Sequence, residues 1–294
     1  MTTKPLKILQ NITELDTGAK CNWCPGCGDF GILIALKQAL FELQLDPEMT
    51  ILVSGIGCGS QAPHLLKTYG FHSLHGRSLP VAAGMKFANH RMKVIAIGGD
   101  GDGYGIGISH FINAARRNLD LTYIVQNNQV YSLTKGQTSP TSESGYKSKT
   151  TPEGAIEPPF HPLGLAISSG ASFVARGFAG DIPHLKEVFK AAISHRGFAH
   201  VDVLQPCVTF NKINTYRWYQ ERIYKLEDDT SYDKKNRLEA LKKAEEWGER
   251  IPIGVYFAGD RSIYEEAVPQ MADLPLCEQE ISDVDIDPIL KNYI

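Results

Sequence analysis

Lys93–Asn128, KVIAIGGDGDGYGIGISHFINAARRNLDLTYIVQNN, decides the fold. Lys93 to Gly98 is a short apolar run of the buried-strand kind, and it enters the glycine-rich Gly98–Gly107. Ile108 to Arg117 reads as a helix. Leu121 to Val125 reads as the next strand and runs on to Asn127-Asn128. Strand, glycine loop, helix, strand is the repeating unit of a parallel sheet. The alternation continues outward in both directions. Asp29–Leu43 carries Ile32, Leu33, Ala35, Leu36, Leu40 and Leu43 at helical spacing, with Asp29 placed to cap it. Thr50–Ser54 is an apolar strand ending in Gly55-Ile56-Gly57-Cys58. Asp181–His195 is an amphipathic helix with Leu185, Val188, Phe189 and Ala192 on one face. His200–Leu204 is a strand ending at Pro206-Cys207. The order predicts an α/β fold, a mostly parallel sheet with helices on both faces.

Three regions are expected: an irregular arm at 1–20, the α/β domain at 21–209, and an extension at 210–294 that wraps the core or a partner subunit. Residues 127–162 are rich in Ser, Thr, Pro and Gly, and a loop of that length is uncommon unless functional. In the extension, Asp233–Arg250 reads as a solvated helix, Ile253–Phe257 as an edge strand, and the tail from Leu274 is acidic. The chain has 294 residues, 43% hydrophobic and 21% charged, with a net charge of −3. That balance gives no footprint for nucleic acid or an anionic membrane. Met1–Leu15 lacks a signal peptide's apolar core and no run is long enough to span a bilayer, so the expectation is cytoplasmic. Six cysteines in that setting are not expected to form disulfides.

The glycine loop carries the first chemistry. In an α/β sheet, ligands bind beyond the carboxyl ends of the strands. A diphosphate there needs close backbone approach, a helix N-terminus and a hard divalent cation with oxygen ligands. Asp100 supplies a carboxylate, Asn128 an amide oxygen and Val130 a backbone carbonyl. A lone GDG is usually only a turn. GDG and NN, each ending a predicted strand, match the thiamine-diphosphate motif.

The second chemistry is in the cysteines. Cys24 and Cys27 form a CxxC, Cys58 lies in a glycine loop after a strand, and Cys207 follows another strand. Four thiolates from three loops suit either Zn²⁺ or a [4Fe–4S] cluster, and spacing alone does not separate them. The neighbouring cofactor shifts the choice, because an adjacent one-electron acceptor is useful to thiamine chemistry and zinc has no redox chemistry. Cys21 and Cys277 are read as ordinary thiols.

Six segments in order, WCPGCGDFG, GIGCGS, LHGRSLPVAAGMKFAN, GGDGDGYGIG, NNQVYSLTKGQTSPT and QPCVTFN, resemble the beta chain of a 2-oxoacid:ferredoxin oxidoreductase over about residues 15–225. The flavour is nearest the 2-oxoglutarate enzymes. The resemblance implies a thiamine-diphosphate-binding fold and CoA-dependent oxidative decarboxylation of 2-oxoglutarate. With reduced ferredoxin the reaction would run backwards and fix carbon dioxide, as in a reductive TCA cycle. It makes Cys24, Cys27, Cys58 and Cys207 ligands of one [4Fe–4S] cluster. Asp100 and Asn128, with the Val130 carbonyl, become ligands of Mg²⁺. Gly99, Gly101, Asp102 and Gly103 would line the diphosphate, and Gly57, Cys58, Ser132 and Leu133 complete the cofactor-binding set. His75 would lie near the cofactor and Lys135 in a mobile loop over the active site, both as catalytic candidates. A histidine is more often structural, and Lys135 has a plain reading as a solvated loop lysine. Some relatives have a lysine shortly after the third cluster cysteine. Here Gly59-Ser60-Gln61 follows, so a carboxylate-binding role for that lysine does not carry over.

Thiamine enzymes need a second α/β domain that supplies a glutamate to the cofactor. The resemblance places that domain in an alpha subunit, in an (alpha-beta)₂ assembly served by ferredoxin. The alternatives are pyruvate or broad 2-oxoacid specificity, a non-redox thiamine decarboxylase with structural zinc, and a non-catalytic partner subunit that keeps the fold.

Overall fold

The computed structural model describes residues 7–271 and 274–293. The chain forms strands β1 (Thr50–Ser54), β2 (Tyr69–His72), β3 (Lys93–Gly99), β4 (Thr122–Asn127), β5 (Val130–Tyr131) and β6 (Gln137–Thr138). It continues with β7 (Phe173–Phe178), β8 (Ala199–Leu204), β9 (Ile223–Lys225) and β10 (Ile251–Ala258). Eight of them make one sheet in the order β2-β1-β3-β4-β8-β7-β10-β9, while β5 and β6 form a small hairpin. From β2 to β7 every neighbour is parallel. β10 joins β7 antiparallel and β9 runs parallel to β10. Helices are α1 (Gly28–Glu42), α2 (Ala62–Leu65), α3 (Ser78–Ala88), α4 (Ile108–Arg117), α5 (Pro162–Ser168) and α6 (Ile182–Ser194). The short α7 (Tyr216–Gln220), α8 (Arg237–Ala244) and α9 (Asp287–Leu290) follow.

Alternation along the strands feeds two cores. On β3, Ile95 and Ile97 pack with Leu36 and Leu40 of α1 and with Leu185 and Phe189 of α6. Val94 and Ala96 face the other way, toward Leu79 of α3, Phe111 of α4 and Leu163 of α5. Full burial of each such aliphatic side chain contributes about 1.5–3 kcal/mol, so the sheet is clamped from both faces. Its carboxyl edge is left to the loops, and that is where the motifs lie.

The expected elements at 50–54, 93–98, 108–117 and 181–195 are present within a residue. Several details differ. Asp29 does not cap α1: the cap position is Cys27, without a side-chain bond, and Asp29 lies buried in the first turn. Asp181 does cap α6, accepting from the His184 amide. The charged stretch 233–250 yields only Arg237–Ala244 as helix, capped by Asn236. β10 is not an edge strand, because β9 pairs outside it. Residues 127–162 are not structureless: Ser139, Thr141, Ser142 and Tyr146 are buried, and Gly145 and Tyr146 exchange backbone bonds with Ala155. Residues 1–6 of the expected arm lie outside the described residues. Leu9 and Leu15 of its remainder are buried in the first core.

Candidate active site

β3 ends at Gly99, and Gly101–Ile106 then winds as a π-helical turn before α4. β4 ends at Asn127 and turns immediately into the β5–β6 hairpin. Between these ends and the loop after β1 lies a small pocket. Its walls include Gly57, Cys58, Gly99, Asp100, Gly101, Asp102, Asn128, Val130, Ser132 and Leu133, all expected from the sequence. Gly103 is buried in the π-turn but does not line it. Gly57 has φ +146°, a backbone state that side chains disfavour, and it starts the helical turn that carries Cys58.

Asp100 is buried, and burial pushes its carboxyl up to about 6. The Ser139 and Thr141 hydroxyls pull it back down. Ser139 Oγ donates to Asp100 Oδ2, and Thr141 Oγ1 lies 2.8 Å from it. Asn128 is oriented by its amide protons, which go to Ser132 Oγ at 3.1 Å and Gln205 Oε1 at 3.0 Å. Its oxygen accepts from the Val130 amide at 3.1 Å and keeps one lone pair free. The Val130 carbonyl accepts from the Ser132 amide at 2.9 Å. Among the described residues no lysine or arginine lines this pocket; a divalent cation would supply the positive charge that a diphosphate needs. Gln126 Oε1, on its wall, is buried without a hydrogen-bond partner. The donor set fits a hard cation: carboxylate, amide oxygen and carbonyl on two adjacent strand ends.

Asp102 has a different task. Its Oδ1 accepts from the Ile56 amide at 2.8 Å and the Gly76 amide at 2.7 Å, and lies 2.9 Å from His75 Nδ1. It ties the loops after β1 and β2 to the π-turn. His75 is thus held by Asp102, in a T-shaped contact with the Tyr131 ring and outside the pocket wall. Lys135 also lies outside it. It is exposed at the hairpin tip with φ +83°, beside exposed Leu133 and Thr134, while Ser132 and Gly136 on either side are buried.

A second pocket abuts the first. Cys24, Cys27, Cys58 and Cys207 all line it, whereas Cys21 and Cys277 do not. Its loops are tied together: Trp23 Nε1 donates to the Cys58 carbonyl at 2.6 Å, and the Gly28 amide to the Pro206 carbonyl at 3.2 Å. Burial, with Asp29 beside it, pushes the Cys27 thiol well up. Burial also raises Cys58, opposed by Ser132. Asp29 itself is pushed up to about 7 by burial. Cys27 and Cys58 are thereby held as thiols until a metal replaces their protons, and a soft metal centre suits four sulfurs. Among the described residues no group of three or more His, Cys, Asp or Glu side chains is gathered closely enough to hold a metal ion. The four cysteines line one cavity.

Cys58, Ser132, Leu133 and Gln205 belong to both pockets. Sequence reading missed Ser139, Thr141, Gln126 and Gln205. Gln205 had a signal, since it sits in the QPC segment that carries Cys207; the hydroxyls of 139 and 141 had none beyond their loop's composition.

Residues 55–203, just over half of the chain, match the family model of the thiamine pyrophosphate enzyme C-terminal TPP binding domain. Residues 207–273 match the model of the C-terminal part of the pyruvate ferredoxin oxidoreductase beta subunit. The 2-oxoacid:ferredoxin oxidoreductase 1 beta subunit of Aeropyrum pernix is 49% identical, over 96% of this chain and 93% of its own. The chain belongs to the beta subunits of the 2-oxoacid:ferredoxin oxidoreductases. The corresponding subunit of Saccharolobus solfataricus is 48% identical, over 92% of this chain and 95% of its own. The solved 2-oxoglutarate:ferredoxin oxidoreductase of Magnetococcus marinus, with 2-oxoglutarate, coenzyme A and succinyl-CoA bound, superposes with a TM-score of 0.89. It is 33% identical and covers 98% of this chain and 99% of that one. A beta subunit of this family is part of an oxidoreductase and works with an alpha subunit, which removes the non-redox and non-catalytic readings. Among the described residues no helix is long and apolar enough to cross a membrane.

Proposed function

We propose that this chain carries the thiamine-diphosphate, Mg²⁺ and [4Fe–4S] sites of a CoA-dependent 2-oxoglutarate:ferredoxin oxidoreductase. The observation that carries it is the shared wall: the oxygen-ligand pocket and the four-cysteine pocket meet at Cys58, Ser132, Leu133 and Gln205. Bound thiamine diphosphate supplies an electron sink that permits loss of carbon dioxide from a 2-oxoacid. The chain's own residues do the rest of the work on this side. Asp100, Asn128 and the Val130 carbonyl would hold Mg²⁺, and the glycines of the β3 loop would admit the diphosphate. Asp102 fixes the surrounding loops, and Cys24, Cys27, Cys58 and Cys207 would hold a [4Fe–4S] cluster, which would supply the one-electron acceptor. Exposed Leu74, Ile106 and Leu133 offer apolar surface for the alpha subunit. The relatives' names support both a general 2-oxoacid and a 2-oxoglutarate substrate; the solved neighbour's bound 2-oxoglutarate favours the latter.

The test is steady-state reduction of a ferredoxin by the co-expressed alpha–beta complex, with coenzyme A and either 2-oxoglutarate or pyruvate. A kcat/KM at least tenfold higher for 2-oxoglutarate is expected. Preference for pyruvate, or equal use of both, would overturn the substrate assignment.

A further inference from the structure

Asn128 spends both amide protons on residues that themselves reach sulfur. Gln205 takes one on Oε1, and its Nε2 donates to Cys27 Sγ at 3.4 Å. Ser132 Oγ takes the other and lies 3.2 Å from Cys58 Sγ. A cysteine that ligates a cluster has lost its proton, so the Ser132 hydroxyl must be the donor in that pair. Two branches therefore run from one amide of the oxygen-ligand site to two of the four sulfurs.

We propose that Ser132 and Gln205 set the reduction potential of the cluster, and that Asn128 couples this potential to occupancy of the diphosphate site. The proposal rests on the cluster and Mg²⁺ assignments made above. Reduction adds negative charge to a cluster, and N–H or O–H donors to its sulfurs favour the reduced state. Among the described residues no charged side chain lines the cysteine pocket, so these two donors are a principal local control. A cation on Asn128 Oδ1 draws electron density from its NH₂ group. Both branches then strengthen, because hydrogen bonds in series polarise one another. The cluster becomes the better electron acceptor when the cofactor is in place.

The experiment is an anaerobic potentiometric titration followed by EPR, on the alpha–beta complex, with iron counted for each sample. Wild type, Ser132→Ala, Gln205→Met and the double variant are compared, each with and without Mg²⁺ and thiamine diphosphate. The midpoint is expected to move to more negative values in each single variant and further in the double. Adding the cofactor is expected to raise the wild-type midpoint and to leave that of the double variant nearly unmoved. Ser132→Thr, which keeps the hydroxyl, is expected to keep a midpoint near the wild-type value, which separates donation from packing. Variants that retain their iron at the wild-type potential would overturn the proposal while leaving the cluster assignment intact. A wild-type complex without iron would overturn that assignment itself.

Discussion

Gly101 leaves no room for a methyl group, because a Cβ there would lie 2.1 Å from Cε1 of Tyr131. The Tyr131 hydroxyl donates to the Gly101 carbonyl at 3.2 Å, so ring and loop hold each other. Gly101→Ala is expected to lower stability by about 1–3 kcal/mol through overpacking. It should also weaken Mg²⁺–thiamine diphosphate binding at least tenfold, read by calorimetric titration. Unchanged affinity would mean that the loop does not carry the diphosphate. A deeper residue adds a pH-dependent contribution to stability. Burial pushes the His200 imidazole down to about 4, against the pull of Asp202. Its ordinary value is 6.5, so the unfolded chain binds more protons in between. The stability it confers is complete above pH 6.5 and is lost as pH falls toward 4, to the extent of about 3 kcal/mol. Asp29 and Asp100, pushed up by burial, act in the opposite sense over this range, so the prediction is a difference: from pH 7 to 5, His200→Gln is expected to gain about 2 kcal/mol of stability relative to wild type. A stability difference between the two proteins that does not change with pH would contradict it.

Elements meet the site through one buried ion pair. β7 and β8 set Arg176 opposite Asp202, with Arg176 Nε 3.1 Å from Asp202 Oδ2. Asp202 Oδ1 accepts from Tyr104 of the π-turn at 2.9 Å and from Asn127 at the end of β4 at 3.1 Å. The pair thus joins the two halves of the GDG–NN motif from beneath. Removing Arg176 alone strands a buried carboxylate, and Arg176→Met is expected to cost about 3–5 kcal/mol. Adding Asp202→Leu should recover part of that stability but not cofactor affinity. Additive stability losses in the double-mutant cycle would mean that the pair is not coupled. This pair also explains what the sequence hid. β1, β3 and β4 announce themselves as apolar runs and β8 by valines at alternate positions, but Phe173–Phe178 is interrupted by Arg176 and Gly177 together and does not read as a strand. α3 contains Pro80 and Gly84, and β2 is exposed at all its residues, so neither has a clean period. The π-turn follows a glycine loop with no local signal for five-residue spacing. The site residues were legible because glycine, aspartate, asparagine and cysteine there have few structural substitutes. Ser139, Thr141 and Gln205 were not, because common polar residues become informative only when folding brings them to Asp100, Asn128 and Cys27.

At the scale of the whole molecule, the sheet continues past residue 210 through β9 and β10, and the tail leaves a run of exposed apolar side chains. Ile281, Val284, Ile286, Ile289 and Tyr293 stand more than half exposed among acidic neighbours. Leu133 of the pocket wall, with Leu74 and Ile106 elsewhere on the surface, is in the same condition. Such surface suits an interface with another polypeptide. The chain expressed without its alpha partner is therefore expected to bind iron yet show no CoA-dependent oxidation of 2-oxoglutarate, with activity restored by adding the partner. Full activity in the isolated chain would refute the two-subunit site.

The shared wall between the two pockets is tested most directly by one anaerobic sample. The alpha–beta complex is assayed for iron and zinc, and its absorption and EPR spectra are taken before and after 2-oxoglutarate. About four irons per beta chain, a brown spectrum and bleaching on addition of the 2-oxoacid are the expected result. A colourless protein with zinc, unchanged by iron and sulfide reconstitution, would contradict electron transfer across that wall.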